Sequence, residues 1–471
     1  MIQPGLERVG QLLKNVQFPW KAIHVAGTNG KGSICHYASS LLTRRLVKCG
    51  KFTSPHLVDR WDCISINEKP VNETLFRQIE SHYMQLSQSE GINASPFEIL
   101  TATAFHIFNE EKVQVGVVEV GMGGKLDATN ILNNQAVSVI SKIARDHQSF
   151  LGDTLEQIAQ HKAGILRPNV PYVVNPVNEW NVNNVIEQYA KDIGAGPRLT
   201  GDTVELIETL YASPDWRRFS ESLRPFQRDN VVLAIVAVKE IVASLGITLD
   251  NLEIGEMLVQ LRKNVNPGRL QHLKVPPVFG KLDESEREIM VDGAHNPDAA
   301  IALNDFVLKN ERQRTILGES PPKDGWPITW VLAMTEGKDA HQYLKLLLRP
   351  GDNVVTTSFG PVDGMPWVKS MDPKQLFAIA ESVQPKITGL HMPTTGALRA
   401  LCAARYVAGK TPPIVLTGSL YLVGDFHREL RSRSDHTWWT NPEQDEDRAM
   451  FEAIHEEERN RVDVALISQD L

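Results

Sequence analysis

The sequence predicts an α/β protein built from two parallel-sheet domains. Short apolar runs that read as buried strands alternate along the chain with stretches of helical spacing. Glycine-rich or polar turns follow those runs at Gly27–Ser33, Gly121–Asn130 and Asp292–Pro297. Asn266-Pro267-Gly268-Arg269 then breaks the pattern between a helical region and a new set of strands. The 471 residues are enough for two or three domains with sizeable cores. A hydrophobic share of 42% with 23% charged residues is ordinary for a soluble globular chain. The net charge of −8 argues against a nucleic-acid partner. Cys35, Cys49, Cys63 and Cys402 form no C-x-x-C pair, so reduced thiols are expected rather than a zinc site or a disulfide framework. Met1–Leu13 lacks the apolar core of a signal peptide and is not rich in Arg and Ser. No apolar run reaches membrane-spanning length. A cytoplasmic protein is expected, with the mitochondrion as the alternative compartment.

Taken in order, Gly5–Val9 leads into a short amphipathic helix through Leu13. Lys21-Ala22-Ile23-His24-Val25 reads as a buried strand. It runs into Ala26-Gly27-Thr28-Asn29-Gly30-Lys31-Gly32-Ser33, after which Ile34, Ala38, Leu41, Leu42 and Leu46 recur at helical spacing. Strand, glycine loop and helix is the setting of a phosphate-binding loop. Backbone N–H groups converge on phosphate oxygens and the helix N-terminus faces them. Lys31 is placed to neutralise β- and γ-phosphates and Ser33 to hold Mg²⁺. The loop is shorter than G-x-x-x-x-G-K-[ST] and puts Gly32 between Lys and Ser, so a glycine turn without a ligand is the competing reading.

Gly50–Leu57 reads as a loop leaving a short strand, in which Ser54 either bonds its own backbone or reaches a metal or phosphate. A strand over Cys63–Asn67, a helix over Glu73–Leu86 and a helix from Pro96 through Asn109 follow. Val113–Gly121 is a second buried strand, and Glu119 lies in it among apolar neighbours. A carboxylate there needs a cation, a metal or strong hydrogen bonds. Beside a phosphate loop, Mg²⁺ is the natural partner and a structural salt bridge the alternative. Ala136–Ile143 is a third strand, and His147 just beyond it is placed as a metal ligand or phosphate contact. Thr154 opens a helix that reaches Lys162, which by spacing alone reads as an exposed helix-end cation. Val170–Val174 is a further strand, and residues 178–222 show weak periodicity. Phe226–Leu245 is strongly helical, with Asn230 near its start as a cap or a ligand contact, and Asn251–Arg262 is a second helix.

Past the break at 266–269, Ile289-Met290-Val291 is followed by Asp292-Gly293-Ala294-His295-Asn296-Pro297 and a helix to Leu308. Further strands are expected over Ile328–Met334, Asn353–Thr357 and Ile414–Thr417, with helices near 340–348, 373–382 and 396–408. Residues 433–471 are polar and acidic and read as an appended tail.

Seven motifs then coincide in order: Gly27–Ser33, Thr53-Ser54-Pro55-His56-Leu57, Glu119–Asn130, Lys162-Ala163-Gly164, Pro267-Gly268-Arg269, Asp292–Asn296 and Gly418-Ser419-Leu420-Tyr421-Leu422. On these residues the chain resembles the folylpolyglutamate synthase/dihydrofolate synthase branch of the Mur ligase superfamily. Within that branch, Val362–Trp367 and Met371-Asp372-Pro373 are similar to the monofunctional dihydrofolate synthases of eukaryotic microbes. The resemblance implies an N-terminal P-loop nucleotide-binding parallel-sheet domain plus a C-terminal Rossmann-like α/β ligase domain. The first, residues 1–266, would bind ATP and the pterin. The second, residues 267–432, would serve L-glutamate, and 433–471 would be the tail.

The implied reaction is ATP-dependent amide formation between dihydropteroate and L-glutamate by a monomer, with folylpolyglutamate synthase, a bifunctional enzyme or a nucleotide switch as alternatives. The resemblance assigns Gly30, Lys31, Gly32 and Ser33 to ATP, and Asn230, Arg269 and Asp292 to further nucleotide contacts. Ser33 and Glu119 would bind one Mg²⁺, with Ser54 and His147 near a second. Lys162 matches a lysine that the family carbamylates, which replaces the exposed-cation reading. Together with Lys31 and His295, the latter near the incoming glutamate, it forms the implied catalytic set. Phe97, Glu98, Leu126, Asp127 and Ala128 match the pterin side. Lys125 stands where the family usually has Arg, and Arg145 where it has a hydrophobic residue; Lys125 keeps the charge without the planar fork.

Overall fold

The apolar run Lys21–Ala26 forms β1, buried from Ala22 onward. In this computed structural model, residues 5–432 are described apart from 222, 262–265, 276–287, 317, 394, 409–412 and the side chain of 149; the expected tail over 433–471 lies outside the described residues. The chain divides into two units, Met1–Lys263 and Asn264–Leu471.

In the first unit β1 is joined by β2 (Cys49–Phe52), β3 (Ile64–Ile66), β4 (Lys69–Pro70), β5 (Val115–Glu119), β6 (Gln135–Ile140), β7 (Tyr172–Val174) and β8 (Arg198–Leu199). The sheet order is β4-β3-β2-β5-β1-β6-β7-β8. From β2 to β8 every neighbour is parallel, while β3 and β4 add an antiparallel edge. β1 is therefore central, and its register pairs Val25 with Glu119 of β5. Parallel strands covered on both faces read as continuous apolar runs, which is why β1 and β5 are conspicuous in the sequence. On one face the helix Lys31–Arg44 buries Ile34, Ala38, Leu41 and Leu42 against Val231, Ala234 and Val238 of the helix Pro225–Ser244. On the other face Trp20 meets Phe105 and Phe108 edge-on at centroid distances of 5.6 and 5.3 Å.

The stretch 178–222, read from the sequence as weakly periodic, is largely helical. A 14-residue helix spans Trp180–Ile193, followed by β8, a wide helical turn at Leu206–Tyr211 and a helix at Pro214–Ser220. The first of these buries Val182, Ile186 and Ala190 and packs Val185, Tyr189 and Ile193 beside them, an apolar face at helical spacing.

The second unit holds β9 (Gln271–Lys274), β10 (Glu288–Val291), β11 (Thr329–Leu332), β12 (Asn353–Thr356), β13 (Thr388–His391) and β14 (Ile414–Thr417), ordered β13-β12-β11-β14-β10-β9. All pairs are parallel except β9 with β10. β9 and β13 are short edge strands with little apolar signal, and neither stands out in the sequence. The buried Asp352, just before β12, is a polar node of this sheet. Both its oxygens take Arg312 N–H groups at 2.7 Å, and it also accepts from Ile328 N, the Trp330 indole and Arg349 N.

Removing one partner of a buried pair strands the other charge. Arg312→Met should therefore cost about 3–5 kcal/mol of stability in denaturant unfolding. A loss within experimental error would show that the pair is not a structural node.

Candidate active site

The phosphate loop is shaped by two glycines with positive φ. Gly27 has φ +144°, and a Cβ there would lie 1.7 Å from Ser141 Oγ. Gly30 has φ +92°, and its Cβ would lie 2.4 Å from Asn230 Oδ1. Any side chain at either position would collide with a neighbour that the sheet and the Pro225–Ser244 helix hold in place. The loop is tied to the segment after β6: Thr28 N and Asn29 N donate to Lys142 O at 2.9 and 3.1 Å, and the Thr28 hydroxyl donates to Ala144 O at 3.0 Å. Asn230 is thus beside the loop backbone, on the side of its helix that the sequence reading left open between cap and contact.

Glu119 ends β5 next to the start of this loop. Lys31 Nζ is 3.7 Å from its Oε1, and Ser54 N donates to its Oε2 at 3.4 Å. The structure thus brings Lys31, Glu119 and the Ser54 backbone together, with Ser33 in the first turn of the loop helix. Lys31 also donates to Thr28 O at 3.2 Å. The Ser54 loop, which contains a cis Ser54–Pro55 bond, is held by Asp62, whose carboxylate accepts N–H groups from Leu57, Val58 and Asp59 at 3.0, 2.7 and 2.9 Å. Burial raises Asp62 to about 6 despite those donors.

Lys162 is the main correction to the reading from spacing alone. It is buried, not exposed, and donates to Gly27 O at 2.7 Å. Burial first, then the charge of Lys31, lower it to about 7, against the opposing pull of Asp146 and Asp127. At neutral pH much of this amine is uncharged. The structural cause is the turn of the helix Leu155–Ala163 that packs Ile158, Ala159 and Ala163 inward and carries Lys162 with them. His147 lies on an exposed loop in the left-handed region at φ 52°, its Nε2 4.0 Å from Asp146 Oδ2. Arg145 is exposed, and Glu156 feels its charge.

Of the residues that the resemblance assigns to the pterin, Phe97 is half-buried and stacks on Phe52 at 6.1 Å and 21°. Asp127 and Ala128 are buried, while Leu126 and Lys125 are exposed. Asp127 Oδ2 accepts from Met122 N at 2.8 Å, and burial raises its pKa. Glu98 accepts from Ser95 N at 2.6 Å in a capping box and pairs with Arg8 at 3.0 Å.

In the second unit, Asp292 follows β10 and organises two loops. Its oxygens accept from Leu270 N and Ala294 N, both at 2.8 Å, and Gly293 N donates to Gly268 O at 2.9 Å. Burial raises its pKa, offset in part by the Arg269 charge. His295 Nδ1 is 2.9 Å from Gly293 O, which places the proton of a neutral ring on Nδ1. Tyr343 donates to Ala294 O at 3.0 Å and so holds the same loop from below. Sequence reasoning passed over Asp62, Tyr343 and, inside β1, His24. His24 carried the same signal as Glu119, a polar group within an apolar strand.

Comparison with known proteins agrees with this arrangement. The Mur ligase middle domain family matches residues 25–194, and the dihydrofolate synthetase C-terminal domain family matches residues 277–431. A probable dihydrofolate synthetase of Schizosaccharomyces pombe is 38% identical over 91% of this chain and 99% of its own. A dihydrofolate synthetase of Saccharomyces cerevisiae is 34% identical over 92% and 99%. A folylpolyglutamate synthase of Mycobacterium tuberculosis, solved with ADP and AMPPCP, superposes with a TM-score of 0.71 at 26% identity, covering 92% of this chain and 96% of that one. Two α/β units, the seven ordered motifs and near full-length likeness to the yeast proteins make this chain a member of the dihydrofolate synthetase group within the Mur ligase superfamily.

Proposed function

We propose that this protein joins L-glutamate to 7,8-dihydropteroate through an amide bond, converting ATP to ADP and phosphate. The observation that carries the reading is the convergence of Lys31, Glu119 and the buried Lys162 on one glycine loop. A carboxylate is a poor acyl donor because its leaving group would be an oxide. Transfer of the γ-phosphoryl group to the acceptor carboxylate forms an acyl phosphate and releases ADP. The uncharged amine of glutamate then attacks the acyl carbon, loses a proton, and phosphate leaves. Lys31 offsets charge where phosphoryl oxygens crowd the carboxylate, and the N–H groups of Gly30, Gly32 and Ser33 orient the nucleotide. Asn230, Arg269 and Asp292 are the further nucleotide contacts in this reading. His295 attends the glutamate, and Phe97, Leu126, Asp127 and Ala128 the acceptor. Glu98, assigned with them to the acceptor, also caps the helix that begins at Pro96.

Ser33, Ser54, Glu119 and His147 are the residues that would hold metal, at two sites. Among the described residues no group of three or more His, Cys, Asp or Glu could hold an ion alone. One carboxylate with hydroxyls suits Mg²⁺ shared with nucleotide phosphates rather than an all-protein cage. When bound, the ion neutralises phosphoryl charge. Carbamylation of Lys162 belongs to the same reading. CO₂ adds to an uncharged amine, and a pKa of about 7 makes that form abundant above neutrality. Among the described residues no helix is long and apolar enough to cross a membrane. A cytosolic monomer is the working form we propose.

Product analysis by mass, with ATP, Mg²⁺ and L-glutamate, tests the reading. One glutamate should be added to dihydropteroate and none to a reduced folate monoglutamate. Addition to the folate alone would make the enzyme a folylpolyglutamate synthase, and addition to both a bifunctional one. Lys31→Ala should lower ADP formation by about 100-fold or more; ordinary turnover would remove the loop from the reaction. Glu119→Gln should raise the Mg²⁺ needed for half-maximal rate by about tenfold, and an unchanged titration would exclude Glu119 as a ligand. Bicarbonate should stimulate CO₂-stripped enzyme more at pH 8 than at pH 6, because protonation below about 7 blocks the amine of Lys162. Lys162→Arg should abolish the stimulation, and its persistence would rule out the carbamate.

A further inference from the structure

Strand alternation sends Ile23 and Val25 into the core beneath the loop helix and turns His24 to the opposite face of β1. There it is completely buried, three residues before Gly27. Its Nε2 is 2.9 Å from Thr129 Oγ1, and its Nδ1 is 2.5 Å from Gln135 Nε2. Thr129 Oγ1 is in turn 2.5 Å from Asp127 Oδ1. The same Asp127 oxygen accepts Thr129 N at 3.0 Å.

Chemistry settles the direction of each bond. Both Asp127 oxygens already accept backbone N–H groups, from Thr129 and Met122, so the Thr129 hydroxyl donates to Asp127. That hydroxyl has one hydrogen, so toward His24 it is an acceptor, and the imidazole proton sits on Nε2. Nδ1 is then an acceptor, and the Gln135 amide donates to it. All three assignments agree, run one way and need no charge on His24. Burial, with the nearby Arg167 charge, keeps the ring neutral by lowering its pKa to about 3. No step of the phosphoryl or acyl transfer above uses an atom of His24. A valine or isoleucine there would fill the strand without the desolvation cost of a buried imidazole.

We propose that His24 is a positioning residue for the pteridine-bearing acceptor: through Thr129, and braced by Gln135, it locks the Asp127 carboxylate and the Gly121–Asn130 loop to the strand that ends in the phosphate loop. The inference rests on the reading of Asp127 as an acceptor contact. A carboxylate held in one rotamer before the acceptor arrives loses little freedom on binding. Because β1 carries both His24 and the phosphate loop, one rigid element sets the acceptor loop relative to the loop that would hold the phosphates.

Steady-state kinetics of the full chain separates this from mere packing. His24→Gln keeps an amide N–H near the position of Nε2, and so keeps the donor to Thr129. His24→Asn reaches only the position of Nδ1 and loses that donor. Thr129→Val cuts the same link at nearly constant volume. The acceptor KM should rise about tenfold or more in His24→Asn and in Thr129→Val. It should stay near wild type in His24→Gln, with the KM for ATP unchanged in all three. The double variant His24→Asn/Thr129→Val should be no worse than the poorer single one, since both remove one link. If His24→Asn fails to fold, Thr129→Val carries the test alone.

Asp127→Asn is measured alongside. An unchanged acceptor KM in Asp127→Asn would overturn the acceptor reading of Asp127 and this inference with it. A raised KM in Asp127→Asn with unchanged values in His24→Asn and Thr129→Val would overturn the inference and leave the acceptor reading standing. Equal losses in His24→Gln and His24→Asn, with the KM for ATP moving in step, would reduce His24 to packing and overturn it as well.

Discussion

Glu119 places a negative charge at the end of a strand buried on both faces. An unanswered carboxylate there would cost several kcal/mol. Lys31 answers it from 3.7 Å, and the register of β1 against β5 decides that the answer must come from the loop after β1. From that requirement the rest of the loop follows. Gly27 and Gly30 are needed because the backbone passes against Ser141 and Asn230 on its way over Glu119. The helix Lys31–Arg44 then leaves at the angle its packing on Pro225–Ser244 allows.

The same charge arrangement acts on Lys162. Two amines share one neighbourhood, and only Lys31 has the close carboxylate. Lys162 is left with a backbone carbonyl and is driven toward its neutral form by burial and by the charge of Lys31. A lysine made uncharged in this way is chemically different from a surface lysine, because its lone pair is available. Packing of apolar residues in the helix Leu155–Ala163 is thus what carries Lys162 into the interior and lowers its pKa.

Several other buried carboxylates also tie down the backbone around them. Asp62, Asp292, Asp352 and Glu98 all accept backbone N–H groups at hydrogen-bonding distance, and each holds a loop or a cap. Asp127 accepts backbone N–H groups too, but it also ends a side-chain relay that starts at Gln135 and crosses β1 at His24. In the second unit, Tyr343 and Asp292 fix the loop bearing His295 in a comparable manner. Loops that carry reacting groups are held here by buried polar contacts because their glycine-rich backbones form few regular ones.

The sequence by itself determined the two-sheet α/β architecture, the phosphate loop and the exceptional position of Glu119. Those features are local: apolar runs, glycine spacing and one charge among hydrophobic neighbours. It also carried, in seven ordered motifs, enough to identify the family. The helix Trp180–Ile193 was legible in the spacing of Val182, Val185, Ile186, Tyr189, Ala190 and Ile193 but was passed over, whereas the edge strands β9 and β13 leave little apolar signal. Lys162 looked like a surface cation because spacing cannot show which helix face a neighbouring loop will cover. The capping box of Glu98 is written in the spacing Ser95-x-x-Glu98, but its bond to Arg8, 90 residues away, exists only in the folded chain. His24 stood out as a polar group in an apolar strand, but its partners could not be read. The direction and purpose of its hydrogen bonds depend on Thr129 and Gln135, more than 100 residues distant, and only the tertiary structure brings them within reach.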